Sequence, residues 1–432
     1  MTILDLKSKI TSGALDADFA ARCGIASENI PTQRDRAACC ADSFAELYGA
    51  DRDVSLLSVG GRSEISGNHT DHNHGRVIAA SISLDVIAVA ARRGDGIVRV
   101  KSEGFPEDIV EPAAIDAPDE AKFFRCEAII AGMQRAFLDA GYRVGGFDAA
   151  TTSNVLKGSG LSSSAAFEVM IGNILNYLYN DGKVPNVEIA KMAQFAENKY
   201  FGKPCGLMDQ TACAVGGFIT IDFADPAKPI IEKLDFDLTG AGYALCITDT
   251  GGNHADLNED YASVPAEMKS VAAALGVSVL REVTRDRITA SLSMLREKCG
   301  DRAVLRALHF VAENERVAEQ VKALKAGDVN GFFSGVLASG ASSFRYLQNV
   351  YTTKNVQEQG LSLALCLSEA YLTKKCGTGA AWRVHGGGFA GTIQAFVPAA
   401  EAERYAAYME SVFGAGSVYI LRVRPEGAIR LA

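Results

Sequence analysis

A run of glycines and serines, LKGSGLSSSAAFEV at Leu156–Val169, has the residue types that point most directly to chemistry. Gly158 and Gly160 let the backbone take positive φ and approach a ligand closely. The serines after them begin a helical pattern, and free N–H groups and the helix dipole at that end favour an anion. A phosphate-binding loop is therefore predicted. The alternative is a turn that caps an ordinary helix, because the loop lacks the P-loop lysine and has Ser163 where a dinucleotide fingerprint has glycine.

A second cluster, GGRSEISGNHTDHNHG, brings charged and polar side chains together at Gly60–Gly75, between two apolar strands. Such a set of donors and acceptors suits a polyhydroxylated ligand, because each hydroxyl needs both kinds of partner. Half of the chain's histidines lie here, but no cysteine or carboxylate pair stands nearby at a recognised ligand spacing, which argues against a metal site. A solvated loop is the alternative. The candidate ligand-binding residues are Arg62, Glu64, Asn68, His69, Asp71 and His72.

Two carboxylates are set in the segment AENKYFGKPCGLMDQ, Ala196–Gln210. Glu197 falls near the end of a predicted helix, and Asp209 follows a turn that glycines and a proline impose. One acid on a helix and another on the next loop suit a metal ligand and a general base. Surface acids are common, so solvent-facing positions remain the alternative.

A third segment, VHGGGFAGTIQAFV, has three consecutive glycines, Gly386–Gly388, so its backbone carries no side chains just before a predicted strand. Consecutive glycines cost backbone entropy, so we expect a close approach to a ligand or to the glycine–serine loop, with a hairpin turn as the alternative. The polar loop TDTGGNHADLNEDY, Thr248–Tyr261, follows another strand, and its composition does not specify a role.

Alternating strands and helices surround these segments. The segment FDAATTSNVL predicts a strand before the glycine–serine loop, and the spacing of apolar residues after the loop predicts a helix with one apolar face. A helix over Val187–Tyr200 would carry Glu197. The apolar segment from Val77 to Ala91 predicts a buried strand, which would pair with the next strand through a turn at Gly94–Gly96. This mixture predicts α+β layers in both halves, divided in the polar segment Asp222–Asp235.

The bulk composition is that of a globular protein with more than one core. The chain has 432 residues, 48% of them hydrophobic and 22% charged, which favours two or more domains. A net charge of −9 without a basic block argues against nucleic acid and membrane surfaces as partners, leaving a small molecule. The ten cysteines are scattered without a CxxC, so we expect reduced thiols and a cytoplasmic location.

Taken together, these segments resemble the motifs of the GHMP kinase superfamily, and within it those of the galactokinase family. GGRSEISGNHTDHNHG is similar to the galactokinase signature GRVNLIGEHTDYNGG, and LKGSGLSSSAA is similar to the superfamily's phosphate loop. AENKYFGKPCGLMDQ resembles AEHxFxGxPCGIMDQ, and HGGGFAG resembles the third glycine motif. The motifs occur in the family's order over nearly the whole chain, so the match is highly specific.

The resemblance implies a two-domain GHMP kinase architecture. Residues 1–235 would form a ribosomal-protein-like α/β domain with the signature, the phosphate loop and the acidic segment. Residues 236–432 would form a ferredoxin-like domain with the third glycine motif. Both ligands would bind in the cleft between the domains.

The resemblance also implies an activity and roles for particular residues. An ATP- and Mg²⁺-dependent kinase would phosphorylate the anomeric hydroxyl of galactose, with Asp209 as base and Arg62 holding it ionised, and would act as a monomer or weak oligomer. The implied sugar-binding residues are Asn68, His69, Asp71, Gly206 and Tyr261. The implied ATP-binding residues are Gly158, Ser159, Gly160, Leu161, Ser162, Ser163, Ser164 and Gly387, and Mg²⁺ would lie near Ser164 and Glu197.

The departures from the family pattern concern the sugar rather than the chemistry. Asn68 stands where the family has the glutamate that accepts from the sugar's far hydroxyls, and His72 replaces a tyrosine. A site built around one hydroxyl rejects analogues that lack it, so Asn68 predicts a changed sugar preference. The alternatives are therefore a kinase for N-acetylgalactosamine or a pentose, and a catalytically inactive sugar sensor. A kinase for a non-sugar alcohol is disfavoured by the polar signature.

Overall fold

The computed structural model describes residues 1–155, 160–252 and 257–432, and the structural statements below refer to that part of the chain. Its strands are β1 Ser55–Ser66, β2 Arg76–Arg92, β3 Val98–Ser102, β4 Glu107–Val110, β5 Phe147–Ser153, β6 Phe218–Asp222, β7 Ile230–Leu234, β8 Tyr243–Asp249, β9 Ala381–Val384, β10 Thr392–Pro398, β11 Val418–Leu421 and β12 Ile429–Arg430. Its helices are α1 Ile3–Thr11, α2 Asp16–Ala21, α3 Ile30–Tyr48, α4 Cys126–Asp139, α5 Ser163–Tyr179, α6 Asn186–Phe195, α7 Met208–Val215, α8 Asn258–Ala274, α9 Arg285–Ala290, α10 Leu292–Cys299, α11 Asp301–Lys325, α12 Val329–Ser342, α13 Gly360–Cys376 and α14 Ala399–Phe413. Strands and helices are interspersed throughout, as the predicted α+β layers require.

The larger sheet has the strand order β12-β1-β2-β5-β3-β4, and β6 and β7 extend it from β2. The long strand β2 pairs with β6 through its first half and with β5 through its second half. Helices α5 and α7 pack on β1 and β2, and α3 packs on β2 and β5. This sheet therefore carries the signature strand β1 next to the helices that begin after the glycine–serine loop and at the acidic segment.

Strand β2 is apolar over most of its length because both of its faces are covered. Val86, Ala88 and Ala90 belong to the core under α4–α7, whereas Ile87 and Val89 belong to the core formed with α1–α3. Successive side chains of a strand point to opposite faces, so a strand buried on both faces needs a continuous apolar run. The predicted buried strand is thus confirmed.

The predicted pairing across Gly94–Gly96 is wrong. Strand β3 follows β2 in sequence, but β5 lies between them, antiparallel to β2 and parallel to β3. A glycine-containing turn between two apolar strands indicates a change of direction, but not which strand then pairs with which.

The smaller sheet is antiparallel, with the order β11-β8-β10-β9. Helices α13 and α14 pack against it, and α12 contacts β9. The chain then returns to the larger sheet, where β12 pairs with β1 through Ser58–Ile429 and Leu57–Arg430. The smaller sheet also contacts the signature strand, because Ser63 Oγ donates to Gln394 Oε1 at 3.3 Å and Arg383 donates to the Ile65 carbonyl at 2.9 Å. Within the described residues, no helix combines the length and apolar character needed to cross a bilayer.

Candidate active site

Arg62 and Asp209 form an ion pair that joins β1 to the first turn of α7. Arg62 Nε donates to Asp209 Oδ1 at 2.7 Å, and a second guanidinium nitrogen donates to Oδ2. Ser162 Oγ donates to the same Oδ2. A bidentate contact fixes the orientation of both side chains as well as their charges.

The ion pair sets the protonation of both groups. Burial alone would raise the pKa of the Asp209 carboxyl, but the Arg62 guanidinium outweighs it, and the pKa lies below its ordinary value. Burial alone would lower the pKa of Arg62, and the Asp209 carboxylate raises it instead. The site therefore holds an ionised carboxylate next to a permanent cation at neutral pH.

The described end of the glycine–serine loop lies against this ion pair. Gly160 has φ +71°, and its carbonyl accepts a hydrogen bond from the Arg62 guanidinium. The backbone N–H of Arg62 donates to the carbonyl of the buried Leu161 at 3.1 Å. One arginine thus holds the loop and Asp209 together, which the sequence could not have shown because these segments are far apart in the chain.

The serines after the loop open α5. Ser163 is its first residue, and Ser164 is exposed in its first turn, where backbone N–H groups lack intrahelical partners. The predicted phosphate-binding residues Gly158 and Ser159 lie outside the described residues.

An acidic cluster lies behind the first turn of α5. Gln210 Nε2 donates to Glu168 Oε2 at 3.0 Å and to Glu197 Oε2 at 2.8 Å, so the two carboxylates share one amide. Lys203 Nζ donates to Glu197 Oε1 at 2.8 Å. Ser164 lies one helical turn before Glu168, on the same face of α5, and therefore on the side of this cluster. Glu197 belongs to a π-helical turn, Ala196–Phe201, a distortion that is frequent at functional sites.

Sequence reasoning missed Glu168 and Gln210. Burial, followed by the charge of Glu197, raises the pKa of Glu168 to about 8. The sequence did contain a signal for Glu168, because this acid interrupts the apolar pattern of α5 four residues after Ser164. Among the described residues, no three or more His, Cys, Asp or Glu side chains are grouped so that they could hold a metal ion by themselves.

Asn68 is fully buried, and protein groups occupy both ends of its amide. Its Nδ2 donates to Glu64 Oε1 at 3.0 Å and to the Gly386 carbonyl at 2.7 Å. Its Oδ1 accepts from Asn349 Nδ2 at 2.7 Å and from Ser343 Oγ at 3.2 Å. A sugar hydroxyl would have to displace one of these groups, so the sugar contact expected of Asn68 stays a prediction.

The third glycine motif contacts the signature segment. His69 Nε2 lies 2.9 Å from the Gly387 carbonyl, and burial lowers the pKa of His69 to about 4. Tyr261 Oη donates to the Gly388 carbonyl at 2.8 Å, and a Cβ on Gly388 would lie 2.0 Å from the Asn349 carbonyl oxygen. The bare backbone is therefore needed for close approach to protein groups, and the role of Gly387 in ATP binding stays a prediction.

The signature and acidic segments also meet. A Cβ on Gly206 would lie 3.1 Å from Asp71 Oδ2, so the two residues are in near contact. The Asp71 side chain remains about a quarter exposed (27%) and has no hydrogen bond to its Oδ2 within the described ranges. A carboxylate oxygen is thus left available at the junction of the two segments.

Comparison with known proteins defines the class first. The model described as "GHMP kinases N terminal domain" matches residues 127–217, which include the described loop end and Asp209. The fold is also that of mevalonate kinase, with a TM-score of 0.59 at 13% identity over 86% of this chain and 99% of that one. Fold and site thus define a GHMP kinase, a class that uses ATP. The predicted GHMP kinase fold is confirmed, and the domain bounds stay a prediction.

The match then narrows to one family. The "Galactokinase galactose-binding signature" model matches residues 42–92. The galactokinase of Streptomyces coelicolor is 33% identical over 388 residues, 88% of this chain and 94% of that protein. The crystal structure of Lactococcus lactis galactokinase complexed with galactose has a TM-score of 0.73 at 26% identity, covering 90% of this chain and 98% of that one. The chain belongs to the galactokinase family and is an ATP-dependent sugar kinase, as the resemblance implied.

Proposed function

We propose that this chain transfers the γ-phosphoryl group of ATP to the anomeric hydroxyl of galactose, giving galactose 1-phosphate and ADP. The observation that carries the proposal is the bidentate contact of Arg62 with Asp209, made beside Gly160 and Ser162. A partly buried, ionised carboxylate thus lies against the end of the loop that resembles the phosphate loop. The similarity to a galactokinase solved with galactose supports that sugar as the acceptor.

In this mechanism Asp209 accepts the proton of the anomeric hydroxyl. The hydroxyl oxygen bonds to the γ-phosphorus while the bond from that phosphorus to the bridging oxygen breaks and ADP leaves. Arg62 keeps Asp209 ionised and offsets the negative charge that develops on the transferred group. Most of the rate comes from positioning and electrostatics, as in phosphoryl transfer generally.

Ser164 in the first turn of α5 and Glu197 in the π-helical turn fit a bound magnesium ion. Ser164 offers an exposed hydroxyl, and the Glu197 carboxylate already accepts a cationic group, the half-exposed Lys203 ammonium. Hard oxygen donors together with ATP phosphates are the ligands that Mg²⁺ prefers. Ser164 and Glu197 would hold the ion, which when bound neutralises phosphate charge.

The Glu197→Gln variant tests this assignment. We expect the Mg²⁺ concentration for half-maximal activity to rise at least about tenfold, because even indirect partners of a metal contribute that much. Glu188→Gln, an exposed residue of α6, is the matched control and should leave the Mg²⁺ dependence unchanged. Titration of Mn²⁺ with a non-hydrolysable ATP analogue, followed by paramagnetic resonance, measures the same affinity without turnover. An unaltered metal dependence in Glu197→Gln would contradict the assignment.

His69, Asp71, Gly206 and Tyr261 surround the proposed sugar site. Their contacts join three segments, the signature, the acidic segment and the third glycine motif. The contact of His69 with Gly387 joins residues 1–235 to residues 236–432, which supports a ligand cleft between two domains. Strand β12, near the end of the chain, pairs with β1 and so belongs with the first of these domains.

A sugar panel tests the proposed acceptor. ADP release is measured with galactose, N-acetylgalactosamine and L-arabinose at saturating ATP, and the phosphorylated carbon is identified by ³¹P–¹H NMR. We expect the highest kcat/KM for galactose and coupling of the phosphate to the anomeric proton. Asn68 favours another sugar as the second candidate, and a higher kcat/KM for either alternative would establish it. ADP release with none of the sugars would overturn the proposed phosphoryl transfer to galactose.

A further inference from the structure

The signature of this chain carries a reciprocal exchange of two residue types. Aligned with GRVNLIGEHTDYNGG, the segment GRSEISGNHTDHNHG has Glu64 where the family has asparagine, and Asn68 where the family has glutamate. The carboxylate and the amide have therefore traded places within one strand and the turn that follows it. A loss of the carboxylate would have required only the change at position 68.

We propose that Glu64 is the specificity-determining carboxylate of the sugar site, accepting a sugar hydroxyl in place of the glutamate that the family has at position 68. The inference rests on the proposed function and names the residue that reads the sugar.

The two exchanged side chains are in direct contact. Asn68 Nδ2 donates to Glu64 Oε1 at 3.0 Å, and Arg383 lies at 3.4 Å from the same oxygen. Asn68 has its other contacts with Gly386, Ser343 and Asn349, so its amide is held on the protein side. The amide thus orients the carboxyl group and leaves recognition to Glu64.

The second oxygen of Glu64 is left without a donor. Within the described ranges no group donates to Oε2, and 11% of the Glu64 side chain is exposed, so this oxygen is not sealed off from a ligand. Burial raises the pKa of Glu64, while the Arg383 and Arg62 guanidinium groups and the Asn68 amide oppose that rise. A ligand hydroxyl can therefore donate to Oε2, and hydrogen bonds to a charged group are stronger than those between neutral groups.

Glu64 also lies on the reacting side of the sheet. It is two residues beyond Arg62 in β1, in unbroken register with β2, so both side chains leave the same face about 7 Å apart. Arg62 and Asp71 are both close enough to act on its ionisation. A sugar whose anomeric hydroxyl meets Asp209 therefore has its remaining hydroxyls within reach of Glu64.

The first test is Glu64→Gln with a series of monodeoxygalactoses. We expect KM for galactose to rise about 10- to 100-fold, the effect of losing a hydrogen bond to a charged group, with kcat changed less than about threefold. We expect the two proteins to differ at one hydroxyl of the sugar. Removing that hydroxyl should weaken sugar binding to the wild type and leave sugar binding to Glu64→Gln unchanged. Equal losses for every deoxy sugar in both proteins would overturn the proposal.

The second test restores the family arrangement. Asn68→Glu alone sets two carboxyls against each other and should weaken galactose binding more than Glu64→Gln does. The double variant Glu64→Asn/Asn68→Glu should recover galactose binding to within about threefold of the wild type. A double variant no better than the Asn68→Glu single variant would contradict an exchange of roles.

A buried control separates recognition from packing. Glu313 is fully buried and accepts from Ser66, Ser339, Arg316 and the Gly67 N–H, so protein donors saturate it. Glu313→Gln should lower Tm without changing the deoxy-sugar pattern. Sugar binding is measured by calorimetry without ATP, so the Glu64 result stands apart from turnover: a wild type that binds galactose but never releases ADP overturns the proposed function alone.

Discussion

Replacing Asp209 with alanine is expected to lower kcat by about 10²- to 10⁴-fold, the range that a positioned general base contributes. The Asp209 carboxylate is the proton acceptor in the proposed mechanism, and alanine cannot accept a proton at that position. Binding of ATP should persist in this variant, because Arg62 still holds the end of the loop. It does so by donating to the backbone carbonyls of Gly160 and Leu161, and neither contact involves Asp209. Single-turnover kinetics and calorimetry with ATP measure the two properties separately.

Two companions make the Asp209 result decisive. Asp209→Asn keeps the shape of the side chain and should lose as much activity as the alanine variant. Asp222→Asn is the matched control, because Asp222 is also paired with arginines, Arg76 and Arg281, but lies outside the site. Turnover of Asp209→Ala within about fivefold of the wild type would remove Asp209 from the role of base.

Replacing Arg62 with methionine is expected to lower kcat by about 10²- to 10³-fold, as for other groups that stabilise developing charge. Arg62→Lys should recover only part of the loss, since lysine cannot make the bidentate contact. Arg62→Met removes the cation that keeps the pKa of the partly buried Asp209 carboxyl low.

The pH profile of kcat/KM gives a readout that a merely structural effect would not produce. In the wild type the pKa of Asp209 lies below its ordinary value, so activity should persist as pH falls to well under neutral. Without the guanidinium, burial raises that pKa, and the acidic limb of the profile should move to higher pH in Arg62→Met. An acidic limb at the wild-type position would show that Arg62 does not control Asp209.

Local patterns were sufficient to predict many of the elements. The helix at α5, the buried strand β2 and the helix that carries Glu197 were expected from spacing alone, because apolar periodicity reports which face is covered. The motifs also identified the family, since each keeps its residue types within a short stretch of chain.

Contacts between distant segments could not be predicted in this way. Strand β5 entered between β2 and β3, and Gln210 came to bridge Glu168 and Glu197. Neither follows from the residues nearby, because strand partners and buried hydrogen bonds are chosen by the whole packed chain.

By itself the sequence indicated a phosphate donor and a polyhydroxylated ligand, and its motifs identified the family, because glycine, serine, acid and amide types stand at fixed local spacings for that chemistry. Only the tertiary structure decided how they are used. It brought Arg62 onto Asp209 and onto the loop end, and it turned the Asn68 amide toward protein groups while leaving an oxygen of Glu64 without a donor. The physical reason is that hydrogen-bond saturation and burial depend on which distant groups pack together, and a linear spacing does not contain that information.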